Sequence, residues 1–164
     1  MVADAAGIAE VQVASWGAGY RGQIPDTYLD ALDVEQRTGA WRQILGSSEW
    51  PQRGALVLER ERAVIGFVHV GPGRGDDLSP ATGEVTALYL LQQHWRQGGG
   101  RRLMAAATDA LRRAGFTEAV LWVLATNERG RAFYEAEAWT PDGLVRKEDR
   151  GGVVADEIRL RRPL

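Results

Sequence analysis

The first third of the chain places apolar residues at the spacing of amphipathic helices. Ile8 and Val11 fall on one face of a helix that this spacing predicts over residues 5–15. A second helix is predicted to begin at Pro25, because proline is favoured in the first turn of a helix. A third is predicted over residues 34–45, where apolar positions again repeat at helical intervals. The N-terminal third is therefore expected to be helical.

From Gly54 onward the pattern changes to short runs of β-branched and other apolar residues, which is typical of strands. The predicted strands span residues 55–59, 63–70, 83–91, 119–125, 144–148 and 153–160. Helical spacing returns over residues 98–114, and a last helix is predicted over residues 128–138. No repeat or linker interrupts this order, so the sequence predicts a single α+β domain over residues 1–164.

Composition narrows the possible functions. The formal net charge is −2, which gives no reason to expect a nucleic acid or an anionic membrane as a partner. The chain has no cysteine, so disulfides, thiolate nucleophiles and cysteine zinc sites are excluded. Neither His69 nor His94 has a second histidine at metal-ligand spacing, so no metal is expected. Because no signal peptide and no stretch of ~20 apolar residues is visible, the expected location is the cytoplasm.

A glycine-rich turn links the third predicted strand to the helix over residues 98–114. The turn consists of Arg96, Gln97, Gly98, Gly99, Gly100 and Arg101. Glycines let the backbone come close to a ligand, and the free N–H groups of a first helical turn attract phosphate. A Walker loop would end in Gly-Lys-Ser/Thr, and a dinucleotide fingerprint needs an acidic residue after the next strand; neither is present. The turn is therefore a candidate phosphate site of another kind, and a tight turn without a ligand is the alternative.

Residues 87–104, which include this turn, resemble the cofactor motif of the GNAT superfamily of acetyltransferases. That motif is a strand, a short connector, Arg/Gln-x-x-Gly-x-Gly/Ala and a helix. Gly98 and Gly100 match the two glycines. Trp95 stands where the family has Arg or Gln, and it is expected to pack under the loop. Gly99 replaces the usual Ile or Val, which is expected to make the turn more mobile.

A second segment, residues 127–139, resembles the family's Asn-x-x-Ala-x-x-Phe-Tyr-Glu-x-x-Gly-Phe/Trp pattern, with Gly130 and Ala138 as departures. Two motifs in the expected order make the chain similar to GNAT acetyltransferases over most of its length. The resemblance implies a central mixed, mostly antiparallel sheet flanked by about four α-helices. The family's first strand is expected to be missing or vestigial, which a native start upstream of Met1 would explain. Because the family often forms dimers, a homodimer is a further expectation.

For the cofactor, the resemblance implies acetyl-coenzyme A held along one strand and the turn. Backbone groups of Leu88, Tyr89 and Leu90 would pair with the pantetheine arm. The N–H of Leu90 would polarise the thioester carbonyl, and residues 96–101 would hold the pyrophosphate. Asn127 would contact the pantetheine, cap the following helix, or do both.

The resemblance also implies a general acid and a base. Tyr134 is the candidate acid, because a phenol with its ordinary pKa of ~10 is protonated at neutral pH and can give a proton to a thiolate. On spacing alone, Phe133 and Tyr134 could both be core aromatic residues. Glu84, fourteen residues before Gly98, is the candidate base, with a solvated carboxylate at a strand end as the alternative. The reserve candidates for the base are Asp76, Asp77 and His69.

The acceptor pocket is expected between the first two helices and the loops near the end of the chain. Trp16, Tyr20 and Tyr28 are the candidate acceptor-binding residues, and core packing of Trp16 and Tyr28 is the alternative. Residues expected nearby are Arg21, Trp139 and Asp142. The predicted function is transfer of the acetyl group of acetyl-CoA to a primary amine of a small molecule or peptide, by direct attack in a ternary complex. The alternatives are a catalytically idle acyl-CoA-binding module and a nucleotide-phosphate binder.

Overall fold

A computed structural model describes all of residues 1–164. The α-helices are α1 (Ala5–Gly19), α2 (Asp26–Asp30), α3 (Val34–Gly46), α4 (Gly99–Arg113) and α5 (Glu128–Ala136). The strands are β1 (Gly54–Arg60), β2 (Ala63–Pro72), β3 (Thr82–Leu90), β4 (Glu118–Leu124), β5 (Thr140–Asp149) and β6 (Val154–Pro163). Two short 3-10 helices span Val2–Asp4 and Gln92–His94. All the predicted helices and strands are present, and only their ends differ.

The six strands form one sheet in the order β1-β2-β3-β4-β6-β5. Every neighbouring pair is antiparallel except β3 and β4, which are parallel. The expectation of a mixed, mostly antiparallel sheet is therefore confirmed. The parallel pairing covers only Thr82–Glu84 against Glu118–Val120. Beyond these residues β3 and β4 no longer pair, which leaves a gap in the middle of the sheet.

Helices cover both faces of the sheet, because successive residues of a strand point to opposite faces. On one face, Val68 of β2 belongs to a buried cluster with Leu103 of α4. On the other face, its neighbour Phe67 is buried with Ile8 of α1 and Trp41 of α3. The sheet thus separates α4 from α1 and α3. None of the helices combines the length and the apolarity that crossing a membrane requires.

Several element ends differ from the prediction. The first helix does not stop near residue 15 but continues to Gly19, so Trp16 is held on a regular helix. Pro25 precedes α2 as its cap residue instead of opening it. The fifth strand begins at Thr140, four residues earlier than predicted, because its pairing with β6 continues through an irregular register. Val2–Asp4 form a 3-10 helix. The strand with which the family begins is therefore missing before α1, as expected for this chain.

Candidate functional site

The gap between β3 and β4 exposes backbone groups of β3. Leu91 donates its N–H to the carbonyl of Ile65 at 2.9 Å. In an antiparallel ladder, backbone groups face the partner strand at every second residue, so those of Leu90 and Leu88 are directed away from β2 and toward the gap. The backbone groups of Tyr89 face β2. The expectation that the Tyr89 backbone pairs with pantetheine is therefore wrong.

Side chains from three elements meet at the end of β3. The carbonyl of Leu90 accepts hydrogen bonds from the indole N–H of Trp95 at 2.7 Å and from the hydroxyl of Ser15 at 3.2 Å. Arg129 of α5 stacks on Trp95, with its guanidinium carbon 3.6 Å from the ring centre. The packing expected of Trp95 under the loop is present, and its hydrogen bond ties the glycine-rich turn to β3. No pattern in the sequence predicts the roles of Ser15 and Arg129.

Close packing fixes the glycine-rich turn. Gly98 caps α4 with a left-handed backbone, φ +81°, a conformation that favours glycine. Gly99 is buried, and a Cβ at this residue would lie 3.1 Å from side-chain carbons of Leu58 and Leu90. These two leucines fill the space that the usual Ile or Val would occupy. The greater mobility expected of the turn therefore has no support in its packing.

The start of α4 offers backbone donors without partners. None of the N–H groups of residues 96–101 donates to a backbone acceptor, as is general for the first turn of a helix. Gly100 keeps this surface open, and a Cβ at Gly100 would lie 3.4 Å from Phe133 of α5. A set of N–H groups at the positive end of a helix dipole fits a phosphate group.

Not every side chain of the turn is free to add to this site. Arg96 and Arg102 are exposed and form no salt bridge, so both guanidinium groups can reach an anion. Arg101 donates to the carboxylate of Glu137 at 2.8 Å. Gln97 donates its side-chain amide to a backbone carbonyl of the preceding 3-10 helix. The positive charge available to a ligand therefore comes from Arg96 and Arg102, and the other residues contribute backbone.

Tyr134 lies half-buried on α5, with its ring centre 5.3 Å from that of Phe133. Burial raises the pKa of its phenol well above the ordinary value of 10, and the phenol of Tyr89 adds to the shift. Tyr134 also packs against the buried cluster on the α4 face of the sheet. The ordinary pKa expected for Tyr134 is corrected upward. The phenol stays protonated near neutral pH, so it can donate a proton there but cannot accept one.

Asn127 caps α5. Its side-chain oxygen accepts the N–H of Gly130 at 2.9 Å. A Cβ at Gly130 would lie 2.6 Å from the amide nitrogen of Asn127, so glycine accommodates this close cap. The capping role predicted for Asn127 is confirmed, and its contact with pantetheine stays a prediction.

Glu84 is buried in β3 with 2% of its side chain exposed, so the alternative of a solvated carboxylate is wrong. Arg74, in the loop before β3, engages both carboxylate oxygens: its Nη2 lies 2.9 Å from Oε1 and its Nε 3.2 Å from Oε2. The backbone N–H of Arg74 donates to Oε2 as well, at 3.1 Å. This geometry argues against Glu84 as the base, and its assignment stays an untested prediction.

The reserve candidates for the base are no better placed. Burial, aided by nearby arginines, lowers the pKa of His69 to about 4. Its Nδ1 lies 2.6 Å from the hydroxyl of Thr86, which sits in a bulge of β3. The hydrogen bond from Arg159 to Asp77, 2.6 Å long, lowers the pKa of that carboxyl. Asp76 is exposed.

Aromatic side chains meet around Trp16. The centre of its ring lies 5.5 Å from that of Tyr20, 6.5 Å from that of Tyr28 and 6.3 Å from that of Tyr89. Burial raises the pKa of the Tyr20 and Tyr89 phenols, so both are neutral near pH 7. The structure thus brings together the three predicted acceptor-binding residues and adds the side chain of Tyr89, which sequence reasoning had assigned only a backbone role.

Three other residues expected near the acceptor are buried or bound to other side chains. Trp139 is 1% exposed and belongs to the buried cluster on the α4 face of the sheet. Asp142 binds the guanidinium of Arg159 at 2.7 Å. Arg21 forms an exposed salt bridge with Asp26, 3.2 Å long. The expectation for Trp139 is wrong because its side chain is buried in the core. Arg21 and Asp142 are held by other side chains, and their place near the acceptor stays a prediction.

A cavity of about 450 Å³ opens beside this aromatic cluster. Its wall includes Trp16, Tyr89 and Thr86, and so it borders the gap along β3. Its arginines are Arg74, Arg146 and Arg150. The structure brings together no group of three or more His, Asp or Glu side chains that could hold a metal ion. The cavity therefore offers guanidinium, hydroxyl and aromatic groups to a small molecule.

Known proteins are similar to this chain in sequence and in fold. The family model described as the acetyltransferase (GNAT) family matches residues 21–138. The chain is 32% identical over 155 residues to an uncharacterised N-acetyltransferase, YuaI, of Bacillus subtilis (strain 168). This alignment covers 93% of this chain and 84% of the relative. It is 38% identical over 109 residues to the mycothiol acetyltransferase of Kocuria rhizophila, covering 62% of this chain and 35% of that protein.

The fold has solved counterparts. The crystal structure of the PaiA N-acetyltransferase of Thermoplasma acidophilum in complex with coenzyme A superposes with a TM-score of 0.73 at 18% identity, covering 99% of this chain and 94% of the other. This chain belongs to the acetyltransferase (GNAT) family.

Proposed function

We propose that this protein transfers the acetyl group of acetyl-coenzyme A to an amine acceptor. The gap between β3 and β4 carries the proposal, because it leaves the backbone groups of Leu88 and the N–H of Leu90 directed at an open edge. The pantetheine arm would pair there as an added strand does, and the pyrophosphate would bind the N–H groups of residues 96–101. The coenzyme A bound in the Thermoplasma acidophilum neighbour supports this choice of cofactor.

The proposed reaction is a direct attack within a ternary complex. The amine nitrogen forms a bond to the thioester carbonyl carbon, and the carbon–sulfur bond breaks. The N–H of Leu90 is directed at the gap, where it would donate to the carbonyl oxygen as negative charge develops. Tyr134 would give its proton to the departing thiolate. The surplus proton on the nitrogen would pass to water in the cavity, and the Tyr134 phenolate would take a proton back from that water.

The cavity supplies no free carboxylate as a base. Glu84 is engaged by Arg74, and Glu148 lies 3.4 Å from Arg146. We propose that the acceptor enters as the neutral amine, after losing its proton to solvent. The value of kcat/KM would then rise with pH toward the pKa of the amine itself.

A panel of amines, followed by the release of free coenzyme A, tests the proposal. Tyr134→Phe is expected to lower kcat by roughly 100-fold or more, because it removes the proton donor. The Kd for coenzyme A is expected to stay the same, and calorimetry on the variant serves as the control. Unchanged turnover would remove Tyr134 as the acid.

Other results of the same experiment would favour the alternatives. Tight binding of coenzyme A without turnover of any amine would favour an idle acyl-CoA-binding module. Stronger thermal stabilisation by ATP than by coenzyme A would favour a nucleotide-phosphate binder.

A homodimer is also proposed, through the last hairpin. β5 is an edge strand of the sheet, and an unpaired edge can take up another chain. Val145 and Val154 on this hairpin are 57% and 61% exposed. Light scattering should report twice the mass of the chain, and Val145→Lys should return the protein to a monomer.

A further inference from the structure

The arginine-lined cavity beside Trp16 has a chemistry that restricts the acceptor. We propose that the amine acceptor also carries a carboxylate, which the guanidinium groups of Arg150 and Arg74 bind. This inference rests on the proposed function, because it assigns the second substrate of the same reaction. It follows from which N–H groups face the cavity, where their counter-charges lie, and how large the cavity is.

Arg150 presents donors that the protein does not use. Only its Nη2 donates within the protein, to Oε1 of Glu157 at 2.6 Å. The guanidinium carbon lies 5.7 Å from the centre of the Trp16 ring, so the group is held over one wall of the cavity. Its Nε and Nη1 can each donate a single charge-assisted hydrogen bond to a ligand oxygen, and a carboxylate accepts such bonds well.

Two further guanidinium groups add to this arrangement. Arg74 uses Nε and Nη2 on Glu84, so its Nη1 is free, and 69% of its side chain is exposed. Arg37 of α3 lies 5.8 Å from the Trp16 ring and, unlike Arg74, forms no salt bridge. Trp16 is thus flanked by positive charge on more than one side.

The carboxylates that balance these arginines lie behind the cavity wall. The side chains of Glu84 and Glu157 are 2% and 7% exposed. They orient the guanidinium groups without reaching the space that a ligand would occupy. The carboxylate that does line the cavity, that of Glu148, is paired with Arg146 at 3.4 Å. The wall therefore presents three guanidinium groups and a single carboxylate, that of Glu148.

This wall selects among the amines left open by the sequence. A polyamine or an aminoglycoside would bring several positive charges to a site lined by three arginines and one carboxylate. An amine with a carboxylate would gain charge-assisted hydrogen bonds. A volume of about 450 Å³ lies within the range of small-molecule sites and suits an amino acid or a short acidic peptide.

Matched acceptor pairs test the inference. Each pair is a free amino acid and its carboxamide, or the peptides Gly-Asp-amide and Gly-Asn-amide, so the members differ in one negative charge. With acetyl-CoA, the acid member of at least one pair is expected to show a kcat/KM roughly 10- to 100-fold higher than its amide. Whether the amino-acid or the peptide pair shows the preference tells which source supplies the carboxylate.

Arg150→Gln should shrink that preference to a few-fold, and the preference should survive in Arg112→Gln, an exposed arginine at the far end of α4. Binding of both members to the coenzyme A complex, measured by calorimetry, gives a readout that does not depend on turnover. Equal rates or equal binding within every pair, or an undiminished preference in Arg150→Gln, would overturn the inference. Equal turnover of acids and amides would contradict the inference and leave the proposed function intact. If no amine were turned over but acids still bound more tightly than amides, only the proposed function would be contradicted.

Discussion

The glycine-rich turn and the acceptor cavity both border β3, but they are built from different parts of the chain. The turn comes from six consecutive residues, 96–101, and offers mainly backbone N–H groups. The cavity is lined from α1, the loop before β3, β3 itself and the last hairpin, and it offers side chains such as those of Trp16, Arg74 and Arg150. A backbone site formed by one segment can bind the same cofactor with varied side chains. A side-chain site assembled from distant segments can change its ligand by changing one of them.

The largest effect on the turn is expected from removing its free charges. The double variant Arg96→Gln, Arg102→Gln should raise the Kd for coenzyme A by roughly 10-fold, since each lost guanidinium removes a charge-assisted hydrogen bond at a solvated position. The preference for acidic acceptors should not change. Calorimetry and the matched acceptor pairs check the two statements.

The double variant Arg112→Gln, Arg113→Gln, at the opposite end of α4, removes the same two charges and is the control. An equal loss of coenzyme A affinity in that variant would mean that overall charge, and not the turn, attracts the cofactor. A lost preference for acidic acceptors in the double variant of the turn would show that the two regions are coupled and not separate.

A smaller effect, confined to the cavity, is expected from Glu84→Gln. Without the carboxylate, Arg74 loses the partner that orients it, so the KM for an acidic acceptor should rise several-fold while the Kd for coenzyme A stays the same. The pH dependence of kcat/KM should be unaltered, because Glu84 is not the proton acceptor in this account. If kcat instead fell by roughly 100-fold or more and the pH dependence vanished, Glu84 would be the base after all.

The smallest effect on either site is expected from His69, which acts on stability. Its pKa in the folded protein is about 4, compared with 6.5 when exposed. The unfolded chain therefore takes up the proton first, so the free energy of unfolding is highest above pH 6.5 and falls as the pH decreases toward 4. The loss attributable to this histidine is on the order of 2 kcal/mol.

Urea denaturation at several pH values measures this dependence. His69→Gln should flatten it over the acid range. The same slope in wild type and His69→Gln would show that His69 does not titrate as described.

The sequence identified the turn because a strand, a glycine cluster and a helix fix the backbone locally. Asn127 and Gly98 were placed correctly for the same reason, since helix caps depend on neighbouring residues. The partner of Glu84 could not be predicted, because Arg74 reaches it only after the loop before β3 folds back. Arg150 came to lie over Trp16 through the packing of the last hairpin against α1, which no local pattern encodes.

The residues that the sequence placed wrongly also depend on contacts between distant parts of the chain. Trp139 is the last residue of the second motif and directly precedes β5, yet it is buried on the α4 face of the sheet. The side that such a residue faces depends on how the neighbouring strand pairs and not on distance along the chain. The backbone orientation of Tyr89 also depends on register with β2. Both needed the pairing of strands, which the sequence pattern specifies only in part.

The central claim is that the gap between β3 and β4, together with the glycine-rich turn, binds coenzyme A. Calorimetric titration of the full chain with coenzyme A, beside a parallel titration with ATP, tests it most directly. We expect a Kd in the micromolar range for coenzyme A and weaker binding of ATP. ATP has phosphates that the turn can bind, but it has no pantetheine to pair with β3. Absence of coenzyme A binding at millimolar concentration, or tighter binding of ATP, would contradict the central claim.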